Sequence, residues 1–253
     1  MKSARTKIYF ASDFHLGSPN EEVSLVREKK IVAWLEAART DAAEIFLVGD
    51  LFDFWFEYKR AVPRGYTRLL GKISEITDSC IPVHVFTGNH DMWIFDYLPR
   101  ECGVQVHRAP IDRTFDGKQF LIGHGDGLGP GDYGYKFIKK IFASKVCQWL
   151  FARLHPNFGI WLARSLSGYS RSTKGHKDKE YLGADKEWLI QYCKEVLKKK
   201  HYDYFIFGHR HMAIDFRLND HSRYINLGEW MHQESWACWD GHELTLFNSA
   251  VNA

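Results

Sequence analysis

The chain has no cysteines spaced as Cys-x-x-Cys. Its five cysteines, at 80, 102, 147, 193 and 238, are scattered and odd in number. That pattern excludes a disulfide framework and a thiolate cage for a structural metal, and reduced thiols in a cytoplasmic protein are expected. No run approaches the ~20 apolar residues that cross a bilayer as a helix. The first residues, Met1 to Lys7, pass straight into a strand-like run, so no secretory signal is expected. Internal repeats, low-complexity tracts and long linkers are also lacking. These absences leave a globular chain of 253 residues, long enough to bury a full core as one domain, 1–253.

One further absence is local. Between Tyr133 and Lys177 there is no Asp or Glu, while nine Lys or Arg occur, at 136, 139, 140, 145, 153, 164, 171, 174 and 177. The chain holds 34 basic residues in all, so 25 lie elsewhere, against 31 acidic ones. A basic segment set into an acidic body reads as a separate functional unit suited to a phosphate-rich ligand or an anionic surface. A nucleic-acid polymer is not the expected partner, because the net-negative body opposes the broad basic track that a polyanion needs.

What is present alternates. Lys7–Phe10, Glu44–Val48, Pro82–Phe86, Gln119–Ile122 and Asp203–Phe207 read as buried strands, and 21–39, 66–79 and 184–200 as helices between them. After Phe207 the pattern becomes hairpins, at Ala213–Leu218, Arg223–Leu227, Ser235–Asp240 and Glu243–Phe247, with Asn219-Asp220 and Asp240-Gly241 as turns. This order predicts an α/β fold of two stacked mixed sheets covered by helices. Inside the acid-free segment, Ile138, Ile141, Phe142, Val146, Trp149, Leu150 and Leu154 recur at helical spacing, with Lys136, Lys139 and Lys140 on another face. Pro156-Asn157 breaks that helix and a second follows at 158–166. We read 133–177 as an inserted basic amphipathic helical hairpin, a lid over whatever the core strands present.

Those strands all end alike. The five core runs lead into Ser12-Asp13-Phe14-His15, Val48-Gly49-Asp50, Thr87-Gly88-Asn89-His90-Asp91, Gly123-His124-Gly125-Asp126 and Phe207-Gly208-His209-Arg210-His211. In open α/β folds, ligands gather outside the carboxyl ends of the strands, so these groups converge on one crevice. Carboxylate and amide oxygens with imidazole nitrogens suit hard-to-borderline divalent cations. Residues two apart in extended backbone project to one side, so Asp13 with His15, and His209 with His211, each can reach a common point. Asp13, His15, Asp50, Asn89, His124, His209 and His211 are more donors than one ion takes. Two ions sharing a carboxylate at ~3.5–4 Å would use them all. A lone His at a strand end is usually a hydrogen-bonded structural residue; the ordered set of five endings carries the weight.

That set resembles the motif blocks of the calcineurin-like metallophosphoesterase family, D-x-H, G-D, G-N-H-D, G-H and G-H-x-H, over residues 13 to 211. The resemblance implies a four-layer αββα sandwich. It implies Asp13, His15, Asp50 and His211 on one metal, and Asp50, Asn89, His124 and His209 on the other. His90 would stabilise the transition state or protonate the leaving oxygen, with Asp91 orienting its imidazole. Mn²⁺ is the first expectation for both ions, with Fe and Zn as alternatives.

The run from His124 through Asp132 to Tyr135, the basic hairpin after it, Val48-Gly-Asp-Leu-Phe-Asp-Phe-Trp55 and Leu227-Gly-Glu-Trp230 resemble one branch of that family. This is the branch that cleaves the diphosphate of a lipid-linked UDP-sugar, UDP-2,3-diacylglucosamine, in lipid A synthesis. By that resemblance Asn89, His90, Asp132, Ser170, Lys174, Lys177 and His209 contact substrate. The basic lid would rest on the anionic inner-membrane surface, making the protein cytoplasmic and peripherally membrane-associated. His90 stands where the best-known members of the branch carry arginine. The alternative reading is a dimetal phosphatase or phosphodiesterase for a soluble nucleotide or phosphoprotein. A binding module on an inactive scaffold would have lost at least one donor, and none is lost.

Overall fold

Strands buried along their whole length, as every residue of VHVF and YFIF is, demand cover on both faces, and helices or a second sheet must supply it. The computed structural model, which describes residues 5–131, 133–163, 165 and 183–249, supplies both. The first sheet joins β1 (Lys7–Ala11), β2 (Ala42–Leu47), β3 (Val83–Phe86) and β4 (Gln105–His107) in parallel. The antiparallel β10 (Ser235–Trp239) and β11 (Leu244–Asn248) extend it on the far side of β1. The second sheet has the order β5 (Ile111–Phe115), β6 (Lys118–Ile122), β7 (Tyr204–Phe207), β9 (Ser222–Leu227), β8 (Ala213–Asn219). In it β6, β7 and β9 run parallel and the outer strands antiparallel.

Between the sheets, Phe10 is stacked on Phe46 at 5.3 Å and on Phe120 at 6.2 Å, within a core completed by Val48, Phe86, Ile206, Ile225 and Trp239. Helices α1 (Glu21–Ala38) and α2 (Thr67–Asp78) cover the other face of the first sheet through Ile31, Leu35, Leu69, Ile73 and Ile76. The short α3 (Tyr97–Cys102) leads into β4. Leu189, Ile190 and Cys193, on the helix Trp188–Leu197, cover the second sheet. The layers are therefore αββα, as the strand and helix order predicts. α1 opens on Asn20, whose side chain accepts the Val23 amide at 2.9 Å, with Glu21 and Glu22 in the first turn.

Three elements escape the sequence pattern. α3 carries Pro99 in its first turn, where a missing amide costs nothing. β4 has three residues, and β5, Ile-Asp-Arg-Thr-Phe, is an edge strand exposed at alternate positions.

The acid-free segment also differs from expectation. Its first helix is two: α4 (Tyr133–Ala143) and α5 (Lys145–Phe151), split at Ser144, whose hydroxyl accepts the Cys147 amide at 3.2 Å and caps α5. Pro156 opens the next helix, α6 (156–163), rather than merely ending the previous one; the helix Trp188–Leu197 is then α7. Phe151, Cys147, Ile160 and Ala163 pack on a cluster of Phe54, Phe56 and Trp93. The Trp93 indole donates to the Phe142 carbonyl at 2.9 Å. The apolar side chains of α4 stay outside: Tyr133 is 80% and Phe137 66% exposed.

Candidate metal centre

The five parallel strands β1, β2, β3, β6 and β7 all end at one edge of the sandwich, and the loops that leave them meet. Asp13 and His15 follow β1, Asp50 follows β2, Asn89 and His90 follow β3, His124 follows β6, and His209 and His211 follow β7. Donor atoms of Asp13, His15, Asp50 and His211 lie within 4.8 Å of one another, and so do those of Asp50, His124 and His209. Asp50 belongs to both groups. Asn89 also has a buried Oδ1 with no hydrogen-bond partner among the described residues. Asp132, Ser170, Lys174 and Lys177, the other expected substrate contacts, lie outside the described residues.

The pairs two apart in sequence reach the centre by another route than extended backbone. Asp13, His15, Asp50, His209 and His211 have φ of 55°, 44°, 53°, 70° and 51°. The left-handed region costs a non-glycine residue on the order of 1–3 kcal/mol and persists only where surroundings over-determine it. Here the amides of Asp13 and His15 donate to the carbonyls of Gly49 and Asp50, each at 3.0 Å, extending the β1–β2 ladder past the strands. The turn also sends His209 and His211 to different donor groups instead of one.

Glycines in the motifs serve close approach. A Cβ on Gly88 would stand 2.1 Å from Asp50 Oδ1, and one on Gly208 would stand 2.5 Å from Asp13 Oδ2. Gly88→Ala is therefore expected to displace Asp50 and weaken divalent-cation binding about 10- to 100-fold, read by calorimetric titration with Mn²⁺. Affinity unchanged by this substitution would mean that the loop yields without moving Asp50.

Each carboxylate divides its oxygens between protein and centre. Asp13 Oδ2 accepts the His209 amide at 2.9 Å, and Asp50 Oδ1 accepts the His90 amide at 2.9 Å. Their other oxygens, with His124 Nε2, are buried and have no hydrogen-bond partner among the described residues. His124 Nδ1 lies 2.8 Å from the Val48 carbonyl, which can only accept, so Nδ1 carries the proton and Nε2 is turned to Asp50 at 3.3 Å. Orphaned oxygens and imidazoles so oriented are a donor set that suits divalent cations.

The electrostatics agree. Burial opposes ionisation of Asp50, yet the charge of His124 leads the interactions that outweigh it and hold the carboxyl below its usual range. Burial likewise opposes charge on His124, but the Asp50 carboxylate lifts it to about 10. Burial takes His90 and His209 down to about 4. The carboxylates around His124, Asp50 foremost, thus hold a proton on that imidazole while His90 and His209 stay neutral, the demand for positive charge that a cation would meet.

Asp91 is bonded to backbone. Its oxygens accept the amides of Leu51 and Gly88, both at 2.7 Å, so it ties the β3 loop to the β2 loop. Nδ1 of His90 instead meets the carbonyl oxygen of Asp53 at 3.0 Å. The motif shows the adjacency of His90 and Asp91, but their backbones turn them to different partners. Other supports carried no legible signal. Arg27 of α1, a surface charge by pattern, is buried and donates to the carbonyls of Phe14, His15 and Ser18 at 2.9, 2.8 and 2.7 Å. Arg210, the variable residue between His209 and His211, pairs with buried Glu187 at 2.9 Å and lies over the Trp188 ring. Asn226 holds the Gly208 carbonyl at 2.5 Å. On the flank, Asp126 accepts the Tyr135 hydroxyl and pairs with Lys139, both at 2.6 Å, tying α4 to the His124 loop.

Comparison with known proteins turns this geometry into a family assignment. The calcineurin-like phosphoesterase family pattern matches residues 6–213. The chain belongs to the calcineurin-like phosphoesterases. Among curated relatives of this calcineurin-like phosphoesterase, the UDP-2,3-diacylglucosamine hydrolase of Porphyromonas gingivalis (strain ATCC BAA-308 / W83) is 40% identical. That alignment covers 96% of this chain and 97% of the relative. The protein of the same name from Histophilus somni (strain 129Pt) is 25% identical over 88% of this chain and 92% of its own. Among solved structures, Vps29 of Chaetomium thermophilum superposes with a TM-score of 0.46 at 11% identity, covering 96% of this chain and 87% of that one.

Proposed function

We propose that this calcineurin-like phosphoesterase hydrolyses the diphosphate of UDP-2,3-diacylglucosamine, giving UMP and 2,3-diacylglucosamine 1-phosphate. One juxtaposition carries the reading. A donor set for two divalent cations lies beside helices whose large apolar side chains face outward, among them Phe137, Trp149 and Trp161. A phosphate ester with acyl chains needs both features, and a soluble nucleotide needs only the first. The name and near-full-length similarity of the P. gingivalis relative support the same substrate.

In this reading Asp13, His15, Asp50 and His211 hold one cation, and Asp50, Asn89, His124 and His209 the other, with Mn²⁺ preferred over Fe or Zn. The pair supplies a water of lowered pKa and counter-charge for the phosphate oxygens. His90, fixed through its Nδ1–H by the Asp53 carbonyl, turns Nε2 to the phosphate group beside Asn89 and His209, and it donates there once protonated, a form that the phosphate's negative charge would favour. Tyr135 and Lys139, through Asp126, hold the start of the 133–177 lid against the His124 loop. A cleft of about 620 Å³ with His124 in its wall runs under α4, ringed by Arg108, Lys136, Lys139 and Lys140. It is a path by which an anionic substrate reaches the centre.

Asp132, Ser170, Lys174 and Lys177 complete the substrate contacts in the proposal. The chain acts as one domain, and the outward apolar and basic residues of α4–α6 rest on the cytoplasmic surface of the inner membrane. No helix among the described residues is long and apolar enough to cross a membrane.

The deciding assay is purified protein with Mn²⁺ and UDP-2,3-diacylglucosamine, scored for UMP by chromatography. UMP is expected to form, to stop on chelation and to return with Mn²⁺. Absence of UMP beside brisk hydrolysis of a simple phosphomonoester would transfer the reading to a phosphatase for soluble substrates.

A further inference from the structure

The acid-free segment starts just beyond the His124 loop and is followed in sequence by α7, and both flanks meet the same imidazole. The His209 ring has Tyr135 of α4 and Trp188 of α7 as neighbours, each with its ring centroid 6.5 Å away. On the α7 flank the tie is a buried ion pair. Arg210, between His209 and His211 in the chain, is 3% exposed and Glu187 2%. The Arg210 Nε donates to both Glu187 oxygens, at 2.9 and 3.0 Å, and its guanidinium carbon lies 4.3 Å from the centre of the Trp188 ring. Glu187 is the N-cap of α7, yet its side chain makes no cap hydrogen bond. An acidic side chain is favoured at a helix start by the free amides there; this one is turned to Arg210 instead. The neighbouring loop closes on the same point. A Cβ on Gly129 would stand 2.5 Å from the Trp188 carbonyl oxygen, and the Gly208 amide donates to the His124 carbonyl at 3.0 Å. The His124 loop, the His209 loop and the head of α7 are therefore packed as one unit.

We infer that Arg210 is a positioning residue for His209. Through Glu187 and Trp188 it seats that imidazole against the head of α7, and so couples one of the two cation sites to the helix that follows the insertion. The inference rests on the metal-centre reading. His209 and His211 have φ of 70° and 51°, and such left-handed residues persist only where their surroundings over-determine them. Arg210 is the residue between them, and burying its side chain against two partners on α7 supplies part of that constraint. The effect falls on one site. His209 shares a donor group with Asp50 and His124, and its ring is the one beside Trp188. The His211 ring meets His15 instead, with centroids 4.7 Å apart, in a group that takes Asp13, His15 and Asp50 from the first sheet. Coupling between two sites is reciprocal, so a cation held by His209 must also steady the head of α7.

The test is the double variant Arg210→Met/Glu187→Leu, which removes both charges together because either one left buried and unpaired would itself weaken the fold. Full-length protein is stripped of metal and titrated with Mn²⁺ by calorimetry, and hydrogen exchange at residues 188–193 is followed with and without Mn²⁺. In the wild type, Mn²⁺ is expected to slow that exchange. In the variant, one of the two Mn²⁺ affinities is expected to fall about 10- to 100-fold with the other unchanged, and exchange at 188–193 no longer responds to Mn²⁺. Turnover lost at limiting Mn²⁺ returns at excess Mn²⁺, as it should for a residue that seats a ligand and does not touch substrate. Unchanged affinities, an equal loss at both sites, or the same slowing of exchange in variant and wild type would overturn the assignment. The equal loss is what a general weakening of the fold would give, so the two measurements separate positioning from structure. If the double variant does not fold, Arg210→Lys is read in the same way, since it keeps a charge opposite Glu187 but not the planar fork that stacks on the indole. A wild-type protein that takes up no Mn²⁺ overturns the metal-centre reading itself, a result distinct from equal uptake by wild type and variant.

Discussion

Asp50→Asn is expected to end cation-dependent turnover, lowering kcat/KM by roughly 10³-fold or more, since a cation supplies several kcal/mol at the transition state and each 1.36 kcal/mol is tenfold in rate. The argument rests on how its two oxygens are used. Oδ1 is committed to the His90 amide, which an asparagine oxygen still accepts, so the loop should keep its shape. Oδ2 lies among the other donors with no hydrogen-bond partner among the described residues, 3.3 Å from His124 and 3.8 Å from His15. An amide there either presents hydrogens to a cation or offers an uncharged oxygen. Because Asp50 belongs to both donor groups, one substitution weakens both. Mn²⁺ stoichiometry by calorimetry should fall below two, and turnover should be lost while the folded far-ultraviolet signal is kept. Retained turnover would sink the two-cation reading.

His90→Ala should do the opposite to the metals. Turnover is expected to drop about 10²- to 10⁴-fold, the span of a lost acid–base or charge-stabilising group, with both ions still bound. The centre depends on the amide of residue 90, which holds Asp50, and Ala keeps that amide. The ring lies beside His15 but outside both donor groups that contain Asp50. Mn²⁺ stoichiometry of two with slow turnover is the expected result. Loss of a metal would contradict the assignment of His90 to chemistry.

The strand endings were legible because their chemistry is written in adjacent residues. Gly49-Asp50 and Gly88-Asn89-His90 hold a ligand type and the glycine that permits its approach within a few positions, and five such endings at similar points in an alternating pattern imply a common edge. The supports were not legible, because they arrive from elsewhere in the chain. Arg27 reaches the β1 loop from α1, and Glu187 meets Arg210 from the head of α7. His84 shows the same limit in the core. In the sequence it interrupts an apolar strand, but it is buried, stacked on Phe46 at 4.3 Å and within 3.0 Å of both His107 and Glu44. Its partners come from the neighbouring strands β4 and β2, and neither is near in sequence. Local patterning also read α4 and α5 as one helix, because the apolar spacing continues through the break that Ser144 makes by capping.

The two sheets contribute unequally to each donor group. The first gives Asp13, His15 and Asp50, and the second gives His124, His209 and His211. Neither sheet alone completes either group, since His211 joins three residues of the first and Asp50 joins two histidines of the second. The spacing available to a pair of ions is thus set far from any motif, by how the two inner faces rest on each other. A one-residue slip of one sheet along the other, ~3.3 Å, would be about as large as the separation of two such ions. The parallel rings of Phe46, Phe10 and Phe120, which span that contact, therefore act as the gauge blocks of the centre. Substitutions there alter the alignment tolerance of a site they never touch.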